Sequence, residues 1–396
     1  MLKFVSALSL VCMFYTTSNG GKEMAIEQSY YPGLDGVIAA ETDLSFLDTE
    51  QGEIVIHGYD LIELSKSHGY LDIVHLLLQG TLPTSTERTD LAKRLSESYD
   101  VPEVILDVFK LLPASTHPMD ALRTGISVLA SYDHDLLNRD PEVNRERGYQ
   151  LLAKLPAIVA NSYRVLEGKE IMRPKEELSY SANFLYMITG KEPTELEERV
   201  FDQSLVLYSE HEMPNSTFTA RVIASTLSDM YGAMTGAVAS LKGHLHGGAN
   251  EAVMYMLLDA NTPEEFETLL ANKLKQKEKI MGFGHRVYMK KMDPRAQIMK
   301  EALAELSEAA GDDRLLRMCE AGEGLIAKEK GLYPNLDYYA APVYWMLGIP
   351  IGLYTPIFLS SRTVGLSAHV IEQHENNKLF RPRVKYTGPR HTTKSK

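Results

Sequence analysis

Four short stretches bring ionisable side chains into Gly- or Pro-marked loops, where functional groups concentrate. They are Gly243-His244-Leu245-His246-Gly247-Gly248-Ala249-Asn250, Gly282-Phe283-Gly284-His285-Arg286, Pro334-Asn335-Leu336-Asp337-Tyr338-Tyr339 and His211-Glu212-Met213-Pro214-Asn215-Ser216-Thr217. Each has a plain structural reading. A His beside glycines is usually a satisfied turn residue, and an Asp after Asn-Leu often caps a helix. Taken jointly, two histidines and one carboxylate in separate loops suit carbanion chemistry. A carboxylate removes a proton α to a carbonyl, while neutral imidazoles donate hydrogen bonds to the developing oxyanion. Arg295, Arg362 and Arg381 add planar forks suited to carboxylates. The residues alone thus point to proton abstraction beside a carbonyl, on an anionic substrate.

Other chemistries fit less well. His244-x-His246 offers two zinc ligands, but no Cys or third His stands near them in sequence. Gly282-x-Gly284 is half of a dinucleotide fingerprint. Its third glycine position holds Val287, and no β-rich run precedes it. Asn215-Ser216-Thr217 is a glycosylation sequon, which matters only in an exported chain.

The elements that must carry these loops are mostly helical. Val37-Ile38 and Ile54-Val55-Ile56 read as short strands, the second following a hairpin connection at Asp48-Thr49-Glu50-Gln51-Gly52. From Asp60 onward helix signals dominate. Thr84-Ser85-Thr86-Glu87 and Thr194-Glu195-Leu196-Glu197 are capping boxes, and Thr262-Pro263-Glu264-Glu265 joins a cap to Pro at the first helical position. After Thr194, the residues Leu196, Val200 and Leu207 share a face, flanked by Phe201, Leu205 and Tyr208. Phe218 to Ser240 is rich in Gly, Ala and Ser and predicts a central helix packed tightly on other helices or a partner subunit. Arg221 and Asp229 argue against its spanning a membrane. Gly388 to Lys396 reads as a polar, mobile tail.

The totals bound the rest. A chain of 396 residues allows two or three domains at about 150 residues each. Hydrophobic content of 44% and charged content of 24% exclude wholesale disorder. A net charge of -12 lacks the basic footprint of a nucleic-acid binder. Cys12 and Cys319 are too few for a disulfide framework or a thiolate zinc site, which suits a soluble intracellular protein. Residues 1–23 stand apart: Lys3, an apolar run from Phe4 to Tyr15 and a small polar tail resemble a signal peptide. The run is too short to cross a bilayer. Gly20-Gly21-Lys22-Glu23 before Met24 can also be encoded by GGAGG a few nucleotides ahead of ATG, a bacterial ribosome-binding sequence. We expect Met24 to be the working start and residues 1–23 to be translated upstream sequence.

The chemistry-bearing loops, in this order, resemble those of citrate synthases. The resemblance rests on Leu245-His246-Gly247-Gly248-Ala249-Asn250-Glu251, Gly282 to Tyr288 with Asp293-Pro294-Arg295, Asn335-Leu336-Asp337-Tyr338-Tyr339 and Arg381-Pro382-Arg383. It extends from about Pro32 to Gly388. Within the family the chain is most similar to bacterial 2-methylcitrate synthases, notably in Ser209 to Asn215 and Pro334 to Pro342. The resemblance implies a mostly α, two-domain homodimer, with residues 24–247 and 345–396 as the large domain and 248–344 as a smaller inserted one. It implies that Asp337 takes the α-proton of an acyl-CoA, His246 stabilises the enol and His285 polarises oxaloacetate. His211, Arg295, Arg362 and Arg381 would bind the oxaloacetate carboxylates, with Arg381 contributed across the dimer. Lys279, Ile280, Met281, Gly282 and Phe283 would grip CoA. Propionyl-CoA is the expected preferred acyl donor, with activity on acetyl-CoA as well. The alternatives are a primary citrate synthase of the tricarboxylic acid cycle and, from another class, a non-catalytic ligand-binding or regulatory homologue. Retention of His246, His285, Asp337 and the three Arg argues against the last of these. Neither metal nor redox cofactor is implied, nor a nucleic-acid or membrane partner, and the expected location is the cytoplasm.

Three departures from the family pattern stand out. His244 replaces a usual Pro, Pro214-Asn215 replaces Asn-Ala, and Met289-Lys290-Lys291-Met292 makes the segment between His285 and Arg295 one residue longer. Which Lys near 290 would meet the CoA phosphates is therefore open.

Overall fold

The computed structural model describes residues 30–48, 51–244, 246–284, 288 and 291–389. The segment 1–23, His285, Lys290 and the last seven residues of the tail lie outside them. Two compact units result, Thr42–Arg381 and a small one made of Met1–Glu41 with Pro382–Lys396. In the small unit, Pro32–Leu34 forms one 3₁₀ turn and residues 382–389 are exposed without regular structure. The large unit holds sixteen α-helices and a three-stranded antiparallel sheet among the described residues. The class is mostly α, as expected. No described helix is long and apolar enough to cross a membrane.

The strands need one correction. β1 is Ser45–Asp48, not Val37-Ile38, and it pairs with β2, Glu53–Ile56, with Leu47 opposite Ile54. β3, Tyr59–Asp60, completes the sheet. Burial decides the choice. Ser45 and Leu47 alternate inward from β1, whereas Val37 and Ile38 are exposed. The connection is the one expected: Asp48 Oδ1 accepts from the Gln51 N–H at 2.8 Å, and Gly52 takes φ +80°.

Thr84–Glu87 and Thr194–Glu197 form complete capping boxes. Thr262 caps its helix, but the Glu265 carboxylate reaches back to the Asn261 N–H instead of Thr262. The Phe218–Ser240 stretch is not one helix. It divides into Asn215–Ala224 and Met230–Leu241. Ser225 and Thr226 hydroxyls bond back to the Val222 and Ile223 carbonyls, Leu227 turns left-handed at φ +62°, and Asp229 caps the second helix through Gly232 N–H. The small residues serve the packing of these two helices on each other. A Cβ on Gly236 would come within 2.1 Å of Ile223 Cδ1.

The central helix is instead Tyr354–Glu375, buried on nearly every face. It packs on Pro141–Leu166, Glu195–Tyr208, Asn215–Ala224 and Met230–Leu241. A helix covered all round must find room for its neighbours in small side chains. Ser360, Ser361, Gly365, Ser367 and Ala368 provide that room. Arg362 and His369 are the cationic or titratable exceptions inside it, and both bear on the site.

Candidate active site

Two of the loops are joined by backbone hydrogen bonds. Phe283 and Pro334 form an isolated antiparallel bridge, Gly284 N–H donates to Tyr333 O at 2.9 Å, and Asn335 N–H donates to Gly282 O at 2.9 Å. Gly282 takes φ +85°, and a Cβ there would lie 2.7 Å from Val253 Cγ2 and 2.9 Å from Tyr338 Cδ2. Only glycine meets both demands. Asp293 ties in the next segment, because its N–H donates to Pro334 O at 3.1 Å and its Oδ2 accepts from Leu336 N–H at 3.3 Å.

Asn335 caps the helix Leu336–Met346, its side chain accepting from Asp337 N–H at 3.2 Å. Asp337 therefore sits in the first turn, and the capping role suggested for it falls to Asn335. The Tyr208 hydroxyl donates to Asp337 Oδ1 at 2.7 Å. Burial pushes the Asp337 carboxyl up to about 6, opposed by Tyr208, Arg295 and Arg362. It is ionised at neutral pH, yet far more basic than an exposed Asp.

His246 follows the helix Met230–Leu241. Its N–H donates to Gly243 O at 2.8 Å, and Gly247 N–H donates to Leu241 O at 2.8 Å. Thr355 Oγ1 bonds the Glu251 carboxylate and lies 3.3 Å from Gly247 O, which fixes the loop to the central helix. The ring's Nε2 accepts from Ser216 N–H at 3.2 Å and lies 2.9 Å from Ser216 Oγ. A backbone donor at Nε2 requires a lone pair there, so the imidazole proton sits on Nδ1. Burial, with Arg362 nearby, lowers the His246 pKa to about 4. The group is a neutral N–H donor.

Arg295 is buried and paired with Asp293, its Nε and Nη2 donating to the two carboxylate oxygens at 3.0 and 2.8 Å. Arg362 is buried in the central helix, with Nε donating to Tyr208 O at 2.6 Å and Cζ 4.9 Å from the Phe358 ring centre. It acts electrostatically on both His246 and Asp337, so these three share one environment. His211 Nε2 lies 3.2 Å from the Tyr288 hydroxyl, and Arg295 in turn is among the charges felt by Tyr288.

The structure thus links His246, Asp337, Arg295, Arg362 and His211 through shared neighbours and the electrostatic influence of the two arginines. Arg381 is exposed and has no described contact with that group. Lys279 is exposed, Ile280, Met281 and Phe283 are partly buried, and Gly282 is buried. Lys291 donates to Gln51 O at 2.5 Å, over the β1–β2 turn. Asn215, the second departure, takes a hydrogen bond from Ser240 Oγ at 2.6 Å.

Sequence reading missed Tyr208, Ser216 and the partnership of Asp293. Tyr208 lies on a helix face otherwise apolar, and Ser216 acts partly through its backbone, so neither leaves a side-chain pattern. Asp293 stands two residues before Arg295, and that spacing was its only signal.

An α-helical protein with a raised carboxylate, a neutral imidazole donor and buried arginines in one place has the parts of an acid–base enzyme acting on anionic substrates. Comparison makes this specific. Residues 33–383 match the family described as citrate synthase, C-terminal domain. A citrate synthase of Heyndrickxia coagulans is 71% identical over 93% of this chain and 98% of its own length. A citrate/2-methylcitrate synthase of Bacillus subtilis is 67% identical over 94% of this chain and 100% of its own. The structure of Thermoplasma acidophilum citrate synthase in ternary complex with carboxymethyl coenzyme A and oxaloacetate superposes with a TM-score of 0.87. It shares 32% identity and covers 93% of this chain and 98% of that one. The chain belongs to the citrate synthase family.

Proposed function

We propose that this enzyme condenses a short acyl-CoA with oxaloacetate, and that propionyl-CoA is its preferred donor, giving 2-methylcitrate and CoA. The observation that carries the reading is the pairing of Asp337, pushed up to about 6, with His246, held neutral with its proton on Nδ1. Asp337 takes a proton from the α-carbon of the thioester. The negative charge that develops on the thioester oxygen accepts a hydrogen bond from His246 Nδ1–H. The α-carbon then attacks the ketone carbon of oxaloacetate, whose new alkoxide takes a proton in the role expected of His285. Water cleaves the resulting thioester, releasing CoA and the tricarboxylate.

His211, Arg295 and Arg362 are the proposed ligands of oxaloacetate, joined by Arg381 from a partner subunit in a homodimer. Lys279 to Phe283 are proposed to hold CoA. In this reading residues 248–344 move as a small domain that closes on the substrates and excludes water, without a metal or redox cofactor, in the cytoplasm. Propionyl preference is supported by the names of the relatives, which include a dual citrate/2-methylcitrate synthase at 67% identity. A second reading, a primary citrate synthase, is favoured by the relative at 71%.

One methylene separates the two donors, and an apolar pocket discriminates that by about 10–200-fold. Both reactions are therefore expected. Measured kcat/KM for propionyl-CoA and acetyl-CoA on one preparation decides between them. A higher value for acetyl-CoA establishes the second reading, and no CoA release from either donor refutes both.

A further inference from the structure

Arg295 and Arg362 are both buried cations, but they are balanced differently. Asp293 bonds Arg295 directly. Arg362 has no carboxylate within ion-pair distance among the described residues; its Nε donates to the Tyr208 carbonyl. A buried guanidinium without a counter-charge is costly, and the fold supplies one at a short remove.

Glu210 precedes His211 and is fully buried. Its Oε1 accepts from Ser45 Oγ at 2.9 Å and from His369 Nε2 at 3.2 Å. Its Oε2 has no hydrogen-bond partner among the described residues and lies against the backbone of Gly365, where a Cβ would come within 2.1 Å. Arg362, Gly365 and His369 stand at i, i+3 and i+7 and present one face of the central helix to the 208–211 segment. His369 directs its Nε2 at Glu210, while its Nδ1 is buried with no hydrogen-bond partner among the described residues. Burial alone would raise this carboxyl. His369, Arg362 and Ser45 together hold it below its ordinary value.

We propose that Glu210 is the resident counter-charge of Arg362, a positioning residue that stands in for the substrate carboxylate while the site is empty and so moderates oxaloacetate affinity. This rests on the reading of Arg362 as an oxaloacetate ligand. Ser45 and His369 hold the carboxylate, and a Cβ at Gly365 would collide with both Glu210 Oε2 and the Ser209 carbonyl. The empty site is then balanced in advance, and oxaloacetate gains less from Arg362 than it would from an uncompensated cation.

The test is Glu210→Gln, which keeps the shape and an acceptor oxygen and removes the charge. Oxaloacetate binding is measured by calorimetry, and melting temperature with and without oxaloacetate. The empty variant is expected to melt lower than wild type, to bind oxaloacetate about tenfold more tightly, and to show the larger ligand-induced rise in melting temperature. His369→Gln keeps an N–H donor and the Glu210 charge, so its Kd stays within about twofold of wild type. A role in packing alone would lower the melting temperature equally with and without ligand and leave Kd unchanged or raised, which overturns the proposal. If Glu210→Gln is recovered folded only when oxaloacetate is present throughout purification, the proposal stands; recovery in neither condition overturns it. Wild type that fails to bind oxaloacetate removes the parent reading and this one together, whereas binding by wild type with an unaltered Glu210→Gln removes this one alone.

Discussion

Replacing Tyr208 with Phe removes one donor from the proposed base and little else. The hydroxyl donates to Asp337 Oδ1 at 2.7 Å, inside a site where burial has already pushed that carboxyl up to about 6. A hydrogen bond to a charged group contributes about 1.5–3 kcal/mol. It stabilises only the ionised form, so its loss raises the pKa, by about one to two units at about 1.4 kcal/mol per unit. The sign follows directly: Asp337 must be ionised to accept a proton, so activity is lost as pH falls through its pKa. For wild type the acid limb of kcat/KM is expected near pH 6, and His246, at about 4, does not intrude on it. In Tyr208→Phe the limb moves to about pH 7–8, costing about two- to tenfold at pH 7 and almost nothing at pH 9. Initial rates of CoA thiol release across this range give the profile. An unmoved limb, or a loss of the same factor at every pH, would refute the assignment of Tyr208 and Asp337 as a coupled pair.

Asp337→Asn should lower kcat by orders of magnitude while calorimetric binding of oxaloacetate stays within about twofold, because the amide keeps the shape and loses the basicity. Gly282→Ala should lower the melting temperature by several degrees, an expected cost of about 1–3 kcal/mol, since it forces a side chain to φ +85° and against Val253 and Tyr338. Differential scanning calorimetry reads it, and an unchanged melting temperature would mean that the turn relaxes freely.

The loops were legible because their residues are unusual for loops. A His between glycines and an Asp behind Asn-Leu can be picked out in the chain without knowing what they face. The helix starts were legible for a related reason, since Thr84 and Thr194 satisfy backbone donors within their own four-residue windows. Partners brought in from far along the chain were not. Tyr208 falls on the same helical stripe as Phe201 and Leu205, and periodicity says only that the ring is buried, not that its hydroxyl meets a carboxylate 129 residues away. The break at 225–229 was hidden because small residues fit a helix interior as well as a turn, and the turn rests on side-chain bonds from Ser225 and Thr226. The central helix was overlooked for the opposite reason. Tyr354 to Glu375 contains Arg, two His and several Ser, and only the packed structure shows that nearly all of its faces are covered.

The proposed division of labour between Asp337 and His246 follows from how one environment acts on two charge types. Withdrawal from water disfavours whichever form is charged, so it raises the carboxyl and lowers the imidazole. A positive neighbour does not act symmetrically: Arg362 favours the carboxylate and further disfavours the imidazolium. At pH 7, with values of about 6 and about 4, Asp337 is mostly ionised and His246 mostly neutral. The reverse assignment, an imidazolium acid beside a protonated carboxyl, would need both groups shifted against the field of Arg362. A neutral imidazole with Nε2 occupied by the Ser216 N–H has one thing to offer, the Nδ1 proton as a hydrogen-bond donor. That suits an enolate oxygen, which needs charge stabilised but not a proton permanently transferred, and it leaves the carboxylate as the only base of the pair.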